Sequence, residues 1–343
     1  MSESWKLRQA DRLTGATIST NKTKIKLPTK TMKIIFTGSS SFTGYWFIKT
    51  LAEAGHSVIA TFRGNPEIYE GVRKQRSALL IDMVPCFFDR PFGSSAFLNL
   101  LDKEEKIDLI CHHDACVTDY KSPDFDVTAA LAHNTHNITQ VLNAARQRLC
   151  SHLLLTGSIF EPDEGEGSDG LPAFSPYGLS KGLTAEMFRF YTGREKMIMG
   201  KFVISNTFGP YEESRFTSYL IKTWFEGKTP LVMTPDYIRD NIHVSLLARA
   251  YVRFAEKLVR SDKYQTMHPS GYCEPQGSFA TRFATELSGR LALNCPLEFA
   301  GQEDFPEPKV RINTDPVANL FPDWNEKKAW DELAQYYKKE YRH

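Results

Sequence analysis

The chain has 343 residues, more than one hydrophobic core usually organises, so its length predicts two domains or one core with a substantial lid. Its 42 Lys and Arg balance 41 Asp and Glu, and a formal net charge of +1 lacks the basic excess of nucleic-acid-binding proteins, which argues against a nucleic-acid partner. The hydrophobic fraction of 41% and the absence of any run of 18 apolar residues indicate a globular chain without a membrane span.

The N-terminal segment and the cysteines bear on the cellular compartment. Residues 1–31 are polar and lack the apolar region of a secretory signal, so we expect a flexible extension there. The six cysteines are scattered without a Cys-x-x-Cys pair, as is typical of reduced thiols. Both observations predict a cytoplasmic protein.

Beyond this segment the sequence alternates between strand and helix patterns. Apolar runs at 34–37 and 58–62 flank a helical segment at 45–54, and such a βαβ unit implies a parallel sheet with right-handed connections. Further strands are predicted at 84–87, 108–111, 152–156 and 198–204, and long helices at 127–148 and 177–192. The pattern predicts an α/β fold of the Rossmann type, a doubly wound parallel sheet over residues 32–205 that is completed by segments near 236–268.

The alternation breaks after Asn206. The elements predicted there are helices at 217–225, 244–257 and 326–339 and a short strand at 231–233. They indicate a smaller α/β substrate lobe over 206–343, interleaved with the main sheet. The acidic stretch at 161–169 is expected to be a solvent-exposed loop.

The first strand is followed by a Gly/Ser-rich turn, residues 37–44, and then directly by a helix. Such a turn aims backbone N–H groups and the helix N-terminus at a pyrophosphate. Gly38 suits the tight turn and Gly44 the close packing of helix on sheet, whereas Ser41 stands where a third glycine is usual. The turn favours dinucleotide binding over an ordinary strand-to-helix connection, with contacts from Gly38, Ser40, Ser41, Phe42 and Gly44.

The end of the second strand bears on the choice of cofactor. A site for NAD presents an Asp or Glu there to the ribose 2′-OH, but this chain has Arg63, whose guanidinium suits a 2′-phosphate. The prediction is therefore NADP, with NAD as the alternative cofactor and a solvated surface cation as the alternative interpretation of Arg63. Asp89, after the third strand, either meets the adenine amino group or begins a turn.

Tyr177 and Lys181 form a candidate acid/base pair. They are four residues apart in a predicted helix that begins at Pro176, so both lie on one face. An ammonium near a phenol favours the charged form, which predicts a lowered pKa for Tyr177 and makes it a usable acid or base, while Lys181 can also donate to a ribose. A surface pair is the alternative, and the nucleotide-binding turn earlier in the chain favours the catalytic interpretation.

Together these motifs resemble the extended short-chain dehydrogenase/reductase family, which contains nucleotide-sugar epimerases, dehydratases and ketoreductases. The resemblance covers residues 32–337. It rests on the turn at 37–44, Asn134, Thr156, Ser158, Tyr177, Lys181 and the segments 206–210 and 239–244. It implies an NAD(P)-dependent enzyme that transfers a hydride between the nicotinamide and a carbon of a nucleotide-linked sugar.

The resemblance also implies roles for individual residues. Asn134 corresponds to a structural active-site Asn, and His112 corresponds to a residue near the cofactor. Asn206 is implied to contact the sugar nucleotide, while Arg239 and Arg311 are implied to pair with its diphosphate, which suits guanidinium geometry. For both arginines a surface or interlobe salt bridge is the alternative.

The catalytic hydroxyl after the fifth strand has two candidates. Members of the family use a Ser or Thr there to bond the reacting oxygen, and counting back from Ile159 and Phe160 favours Thr156 over Ser158. The implied mechanism has Tyr177 moving the hydroxyl proton while Thr156 orients the oxygen.

Departures from the family's pattern bear on the reaction and on metal binding. Family dehydratases carry Thr-Asp-Glu at this strand end, whereas this chain has Gly157 and Ser158 in place of the two acids, which disfavours dehydration. Asp114 stands where the family has a small or apolar residue near the cofactor. His112 and His113 are adjacent in a strand and point to opposite faces, so no metal site is predicted.

The expected function is an NADPH-dependent 4-ketoreductase of a nucleotide-linked deoxysugar, because Arg63 and Ser41 favour NADP and a cofactor that leaves after each turnover. A 4-epimerase, which keeps its cofactor, is the first alternative. The others are a reductase of a non-sugar carbonyl and a catalytically idle NADP-binding regulator, and the intact acid/base pair argues against the regulator. The family packs the helices at 127–148 and 177–192 against a twin, so the resemblance implies a homodimer.

Overall fold

In the computed structural model the described residues are 31–341 apart from Asp169, Glu303 and Pro306, so the predicted extension lies outside them except for Thr31. The helices are α1 (Phe42–Glu53), α2 (Gly71–Ile81), α3 (Ser95–Asp102), α4 (Val127–Asn134), α5 (Ile138–Gln147), α6 (Pro176–Arg194), α7 (Phe216–Phe225), α8 (Val244–Leu258), α9 (Gln276–Leu291) and α10 (Glu326–Tyr341). The strands are β1 (Lys33–Phe36), β2 (Ser57–Thr61), β3 (Cys86–Phe87), β4 (Leu109–His112), β5 (His152–Ser158), β6 (Glu166–Gly167), β7 (Ile198–Ile204), β8 (Asn206–Phe208), β9 (Leu231–Val232), β10 (Ile238–His243), β11 (Gln265–Met267), β12 (Pro269–Ser270), β13 (Tyr272–Pro275), β14 (Glu298–Phe299), β15 (Val310–Ile312) and β16 (Asp315–Pro316). None of these helices is long and apolar enough to cross a membrane.

The main sheet has seven parallel strands in the order β3-β2-β1-β4-β5-β7-β11. Its strand order reverses between β1 and β4, and ligands bind beyond the carboxyl ends of strands at such a point. In β1, Ile34, Ile35 and Phe36 are all fully buried, as expected for a strand that helices cover on both faces. The predicted α/β, doubly wound fold of the Rossmann type is confirmed.

Two apolar cores sandwich this sheet and set the direction of the site residues. Leu154 of β5 packs in the core beneath α1 and α8, whereas Leu153 and Leu155 pack in the core beneath α3, α5 and α6. Because side chains alternate along a strand, Thr156 and Ser158 continue the Leu154 face at the carboxyl end of β5.

The smaller lobe contains a second sheet in the order β13-β10-β15-β6, with β8 also paired to β10. Helices α7, α9 and α10 enclose its aromatic core, which includes Phe208, Trp224, Phe279, Phe283 and Trp330. Strand β6 comes from the chain between β5 and α6, so the lobe is interleaved with the main sheet. The boundary at residue 206 stays a prediction, because the chain from Thr31 onward forms one compact unit.

Two predicted segments differ from the structure. The helix predicted at 127–148 is broken, because Asn137 adopts a left-handed φ of 50° and donates to the Gly93 carbonyl at 2.8 Å. The acidic stretch at 161–169 is not an exposed loop throughout, since Glu161 is fully buried and Glu164 is only 8% exposed.

Candidate active site

The turn between β1 and α1 packs tightly against neighbouring backbone at both of its glycines. Gly38 has a positive φ of 75°, and a Cβ there would lie 2.8 Å from the Asp114 nitrogen. A Cβ at Gly44 would lie 2.5 Å from the Gly38 oxygen. The Ser41 hydroxyl caps α1, accepting from the Gly44 N–H at 3.1 Å and donating to the Gly38 oxygen at 2.8 Å. The positive end of the α1 dipole therefore faces a space that suits an anion.

A cavity extends from this turn past the carboxyl ends of the strands to α6. Of the predicted site residues, it is lined by Gly38, Ser40, Ser41, Phe42, Arg63, Thr156, Ser158, Tyr177, Lys181 and Asn206. It is also lined by Thr43, Arg73, His113, Tyr120 and Arg215, which the sequence analysis did not assign to a binding or catalytic role. The predicted nucleotide turn and the predicted acid/base pair thus share one cavity.

Helix α6 brings Tyr177 and Lys181 to one wall of the cavity. The helix begins after Ser175, whose hydroxyl accepts from the Gly178 N–H at 3.1 Å. Lys181 is 5% exposed, and its ammonium donates to the Thr156 carbonyl at 2.7 Å. The helix and β5 are therefore joined directly at the site.

The charge environment of Tyr177 differs from the prediction. Burial raises the pKa of its phenol well above the usual value, Glu161 raises it further, and Arg215 opposes the shift. Burial also lowers the pKa of Lys181, against the effect of Glu161. The predicted lowering of the pKa of Tyr177 is wrong, because loss of solvation outweighs the neighbouring cations. The surroundings hold Tyr177 as a neutral phenol, which can donate a proton.

Thr156 and Ser158 both reach the cavity from the same face of β5. Oγ1 of Thr156 is 2.9 Å from Nδ1 of His113. The Ser158 oxygen accepts from the Phe160 N–H at 3.3 Å. The sequence analysis did not assign His113 a role at the hydroxyls, since its partners Thr156, Ser41 and Thr43 come from other segments and no motif links them to it.

His112 points to the opposite face of β4 from His113, as expected for neighbours in a strand. Its Nε2 is 3.1 Å from the Asn134 carbonyl in the core, so it does not line the cavity and the predicted cofactor contact is not direct. The Asn134 side chain accepts from the Cys116 N–H at 2.8 Å and donates to the Thr184 hydroxyl at 3.1 Å, which is a structural environment. No group of three His, Cys, Asp or Glu side chains in the described part of the chain is placed to hold a metal ion.

A buried ionic cluster lies behind the hydroxyls of β5. The Lys201 ammonium is 2.5 Å from a carboxylate oxygen of Glu161 and 2.5 Å from one of Glu164. Glu161 also accepts from the Ser158 N–H at 2.7 Å. Lys201 passes beside Gly157, where a Cβ would lie 2.8 Å from its Cε. The cluster explains why part of an acidic stretch is buried and holds the end of β5 in place.

Arg239 and Arg311 lie outside the cavity lining. Arg239 pairs with Glu307 at 2.9 Å. Arg311 is 2% exposed and donates to the carbonyl oxygens of Ile159 at 3.0 Å and Glu161 at 2.6 Å. Both guanidinium groups have partners within the protein, and their implied pairing with a diphosphate stays a prediction.

Arg63 lines the cavity, but it is not a free cation. Its guanidinium is 3.3 Å from Nε2 of His133, which in turn is 3.6 Å from the Asp114 carboxylate. Burial works to raise the pKa of Asp114, but His133 and Arg63 outweigh it and the pKa is lowered, so Asp114 is ionised. Asp89 is exposed at a left-handed φ of 53° and does not line the cavity, and its adenine contact stays a prediction.

Arg76 connects the turn to the loop that carries Arg215. Its fully buried guanidinium donates to the Ser40 carbonyl at 2.7 Å and to the Tyr211 carbonyl at 2.7 Å, and it pairs with Glu213. The loop is thereby held so that the exposed Arg215 lines the cavity. No sequence motif marks Arg215, because its position depends on this tertiary contact.

Comparisons with known proteins identify the family to which the chain belongs. The profile of the NAD dependent epimerase/dehydratase family matches residues 34–268. No curated protein sequence matches. UDP-glucuronic acid 4-epimerase from Bacillus cereus, solved with UDP-glucuronic acid and NAD, has a TM-score of 0.69 at 16% identity, over 90% of this chain and 100% of that one. UDP-N-acetylglucosamine 4-epimerase from Bacillus cereus has a TM-score of 0.67 at 14% identity, and the match covers 90% of this chain and 100% of that one. The UDP-Glc/GlcNAc 4-epimerase from Campylobacter jejuni has a TM-score of 0.65 at 15% identity, over 90% of this chain and 99% of that one.

The structural likenesses, at such low identity, show the fold. The family profile goes further, because it spans most of the chain and includes the turn at 37–44, β5 and the Tyr177–Lys181 pair. The resemblance to extended short-chain dehydrogenases/reductases is thereby confirmed. The chain belongs to the NAD dependent epimerase/dehydratase family.

Proposed function

We propose that the protein is a nucleotide-sugar epimerase, which oxidises a ring carbon of the sugar and reduces it again from the other face. The observation that carries this proposal is the join between α6 and β5, where Lys181 donates to the Thr156 carbonyl at 2.7 Å and Tyr177 lines the same cavity as the phosphate-binding turn. This arrangement supports an acid/base role for Tyr177 beside the proposed dinucleotide site. The named activities of the structural neighbours, UDP-sugar 4-epimerases, support the same choice.

A nicotinamide dinucleotide fits the residues that are present. Gly38, Ser40, Ser41 and Phe42 line the cavity at the start of α1, and the α1 dipole suits a pyrophosphate there. Lys181 would donate to the nicotinamide ribose. When bound there, the dinucleotide supplies the acceptor and donor of a hydride.

The identity of the dinucleotide depends on two opposed charges. Arg63 favours a 2′-phosphate and underlies the sequence-based prediction of NADP, which the structure leaves untested. Asp114 lines the same cavity, is ionised and lies within the electrostatic reach of Arg63. A 2′-phosphate near this pair would meet a carboxylate, whereas ribose hydroxyls can donate to it. We therefore propose NAD.

The chain's own residues would handle the sugar's proton and orientation. Tyr177 would donate its proton to a sugar carbonyl and take one from a sugar hydroxyl, while Thr156 and Ser158 hold the reacting oxygen. Arg215, which lines the cavity, would contact the diphosphate of the sugar nucleotide. Asn206 also lines the cavity and remains a proposed substrate contact.

Other reactions have less support. The reductase expected from the sequence is the second candidate, and the observation in its favour is Arg63 at the cavity. Dehydration needs carboxylates that Gly157 and Ser158 do not supply, and Glu161 is held in a buried ion pair with Lys201. An idle regulator would have no use for an acid/base pair in the cavity.

A turnover assay without added cofactor tests the proposal. Purified protein should convert UDP-glucose, UDP-N-acetylglucosamine or UDP-glucuronic acid into its 4-epimer, measured by NMR of the sugar product. Consumption of NADPH on a nucleotide-linked 4-keto-6-deoxyhexose, without epimer formation, would establish the reductase instead. A bound dinucleotide with no turnover in either assay would favour the regulator.

A further inference from the structure

His113 lies between the phosphate-binding turn and the end of β5, with hydroxyl groups at both of its ring nitrogens. Nδ1 is 2.9 Å from Oγ1 of Thr156, and Nε2 is 3.0 Å from Oγ of Ser41 and 3.1 Å from Oγ1 of Thr43. The aromatic rings of Phe36 and Phe47 pack beside the imidazole, with centroids 5.6 and 5.4 Å away. The ring is therefore fixed in one place, and its hydrogen bonds can be assigned by counting protons.

The imidazole of His113 is neutral. Burial lowers its pKa to about 3, Lys181 lowers it as well, and Asp114 opposes the shift without reversing it. A neutral imidazole carries one N–H and one lone pair in the ring plane, so only one of its nitrogens donates.

Ser41 decides which nitrogen carries the hydrogen. Its single hydroxyl proton goes to the Gly38 carbonyl at 2.8 Å, so its oxygen can only accept from the ring. The N–H is therefore on Nε2, where it points to Ser41 and Thr43. With the other tautomer, lone pairs of Ser41 and Nε2 would face each other at 3.0 Å. Nδ1 is left as an acceptor, and the donor it faces is the Thr156 hydroxyl.

We propose that His113 is a positioning residue whose Nδ1 accepts a hydrogen bond from the Thr156 hydroxyl. Because the single Thr156 proton is used in that bond, the Thr156 oxygen can only accept a hydrogen bond from the sugar. The hydroxyl of Tyr251 also lies near Thr156, but its oxygen is not at hydrogen-bonding geometry to any partner among the described residues, whereas Nδ1 of His113 is 2.9 Å from Oγ1 of Thr156. Thr156 thereby favours the sugar whose reacting carbon carries a hydroxyl group. The neutral phenol of Tyr177 can instead donate to the sugar whose reacting carbon is a ketone. The identity of the bound hydroxyl rests on the proposed function; the hydrogen-bond assignment does not.

A double-mutant cycle in the whole enzyme tests the coupling. Thr156→Val and His113→Leu should each lower kcat for epimerisation by about 10-fold, as expected for the loss of one hydrogen bond at the reacting oxygen. In the Thr156→Val background, His113→Leu should cost little more, because the contact is already lost. Losses that multiply would overturn the proposal.

Two conservative variants distinguish the roles of the two ring nitrogens of His113. The amide oxygen of His113→Asn can replace Nδ1 as the acceptor for Thr156, so kcat should recover towards the wild-type value. His113→Gln reaches the Ser41 side instead, so it should keep dinucleotide affinity but not kcat. Recovery by Gln and not by Asn would contradict the assignment.

A readout that does not need turnover keeps this inference distinct from the proposed function. Nitrogen-15 NMR of His113 in the purified protein should show a protonated Nε2 and an unprotonated Nδ1, and Thr156→Val should shift the Nδ1 signal alone. A proton on Nδ1 would overturn the inference whatever reaction the enzyme catalyses. The expected tautomer in a protein that fails the epimerase assay would leave the inference standing and refute the function.

Discussion

At the scale of single residues, the reactivity of Tyr177 is set by an apolar surround. The rings of Tyr120, Phe125 and Phe160 lie with their centroids 5.4, 6.0 and 6.4 Å from that of Tyr177. This surround keeps water from a phenolate, which is why burial is the main cause of the raised pKa. The resting form of Tyr177 is thus the neutral phenol. Tyr177 must lose its own phenolic proton before it can take a proton from a sugar hydroxyl.

Tyr177→Phe removes the phenolic proton and little else. We expect turnover to fall by about 10²- to 10⁴-fold while dinucleotide affinity is unchanged. Because the pKa of Tyr177 is raised, the wild-type rate of hydroxyl oxidation should increase from neutral to alkaline pH, and the residual rate of the variant should not. Lys181→Ala is the comparison, and it should weaken both turnover and dinucleotide binding. Wild-type activity in Tyr177→Phe would rule out this acid/base assignment.

Cofactor choice is a second consequence at this scale. Titration of the dinucleotide-free protein should show tighter binding of NAD than of NADP. Asp114→Asn should reduce or reverse the difference between the NAD and NADP affinities, because the charge of Arg63 is then no longer neutralised. Arg63→Ala should weaken the binding of NADP and leave the binding of NAD almost unchanged. Tighter binding of NADP by the wild type would restore the preference inferred from the sequence.

Residue roles could be predicted where spacing alone carries the chemistry. Tyr177 and Lys181 meet that condition, since one helical turn brings them to one face. His113 does not, because its partners come from α1 and β5 and meet only in the folded sheet. The pairing of Arg239 with Glu307 could not be predicted for the same reason, since the two residues lie 68 positions apart in the chain.

At the scale of elements, one buried carboxylate joins the loop before α7 to α10. Glu212 accepts hydrogen bonds from the Thr217 hydroxyl at 2.8 Å and from the Tyr337 hydroxyl at 2.8 Å. Burial raises its pKa from 4.5 to about 7, against the effect of these two hydroxyls. The fold therefore binds a proton at Glu212 that the unfolded chain releases at lower pH.

Stability should depend on pH through this group. Since the folded pKa is the higher one, the contribution of Glu212 is complete below about pH 4.5 and is lost as pH rises towards about 7, with a slope of at most about 1.4 kcal/mol per pH unit. Urea unfolding of Glu212→Gln, which keeps the hydrogen bonds, should lack this component. Glu332→Gln on the exposed face of α10 is the control and should follow the wild type. Parallel pH curves for wild type and Glu212→Gln would contradict the assignment.

Elements with a long, uninterrupted pattern could be predicted, and their breaks could not. The opening βαβ unit follows from two apolar runs around one amphipathic helix. The break between α4 and α5 depends on one left-handed residue, Asn137, and on its bond to Gly93, neither of which leaves a mark in the periodicity.

At the scale of the whole molecule, α6 presents an apolar stripe to solvent. Leu179, Leu183 and Phe190 lie at helical spacing and are 42%, 40% and 65% exposed. Large apolar side chains grouped on one helix face are typical of protein interfaces. We propose that this face joins two copies of the chain, in line with the homodimer implied by the family resemblance.

Leu183→Glu tests the dimer. The introduced charge should convert a dimer into a monomer, because an unpaired carboxylate in an interface loses its solvation. Light scattering after gel filtration measures the mass of each form. Met233→Glu, at a side chain that is 65% exposed outside α6, is the control and should not change the mass. A wild type that runs as a monomer at micromolar concentration would end the proposal.

Gly157 limits which chemistries this protein could acquire by mutation. The acid pair of family dehydratases would begin at this position, yet a Cβ there would meet Lys201 at 2.8 Å and Glu161 at 3.1 Å. An aspartate at 157 would therefore collide with Lys201, and loss of that lysine would leave the buried Glu161 without its cation. A descendant that eliminates water would need coordinated changes across β5 and β7, so single substitutions do not lead from this active site to that of a dehydratase.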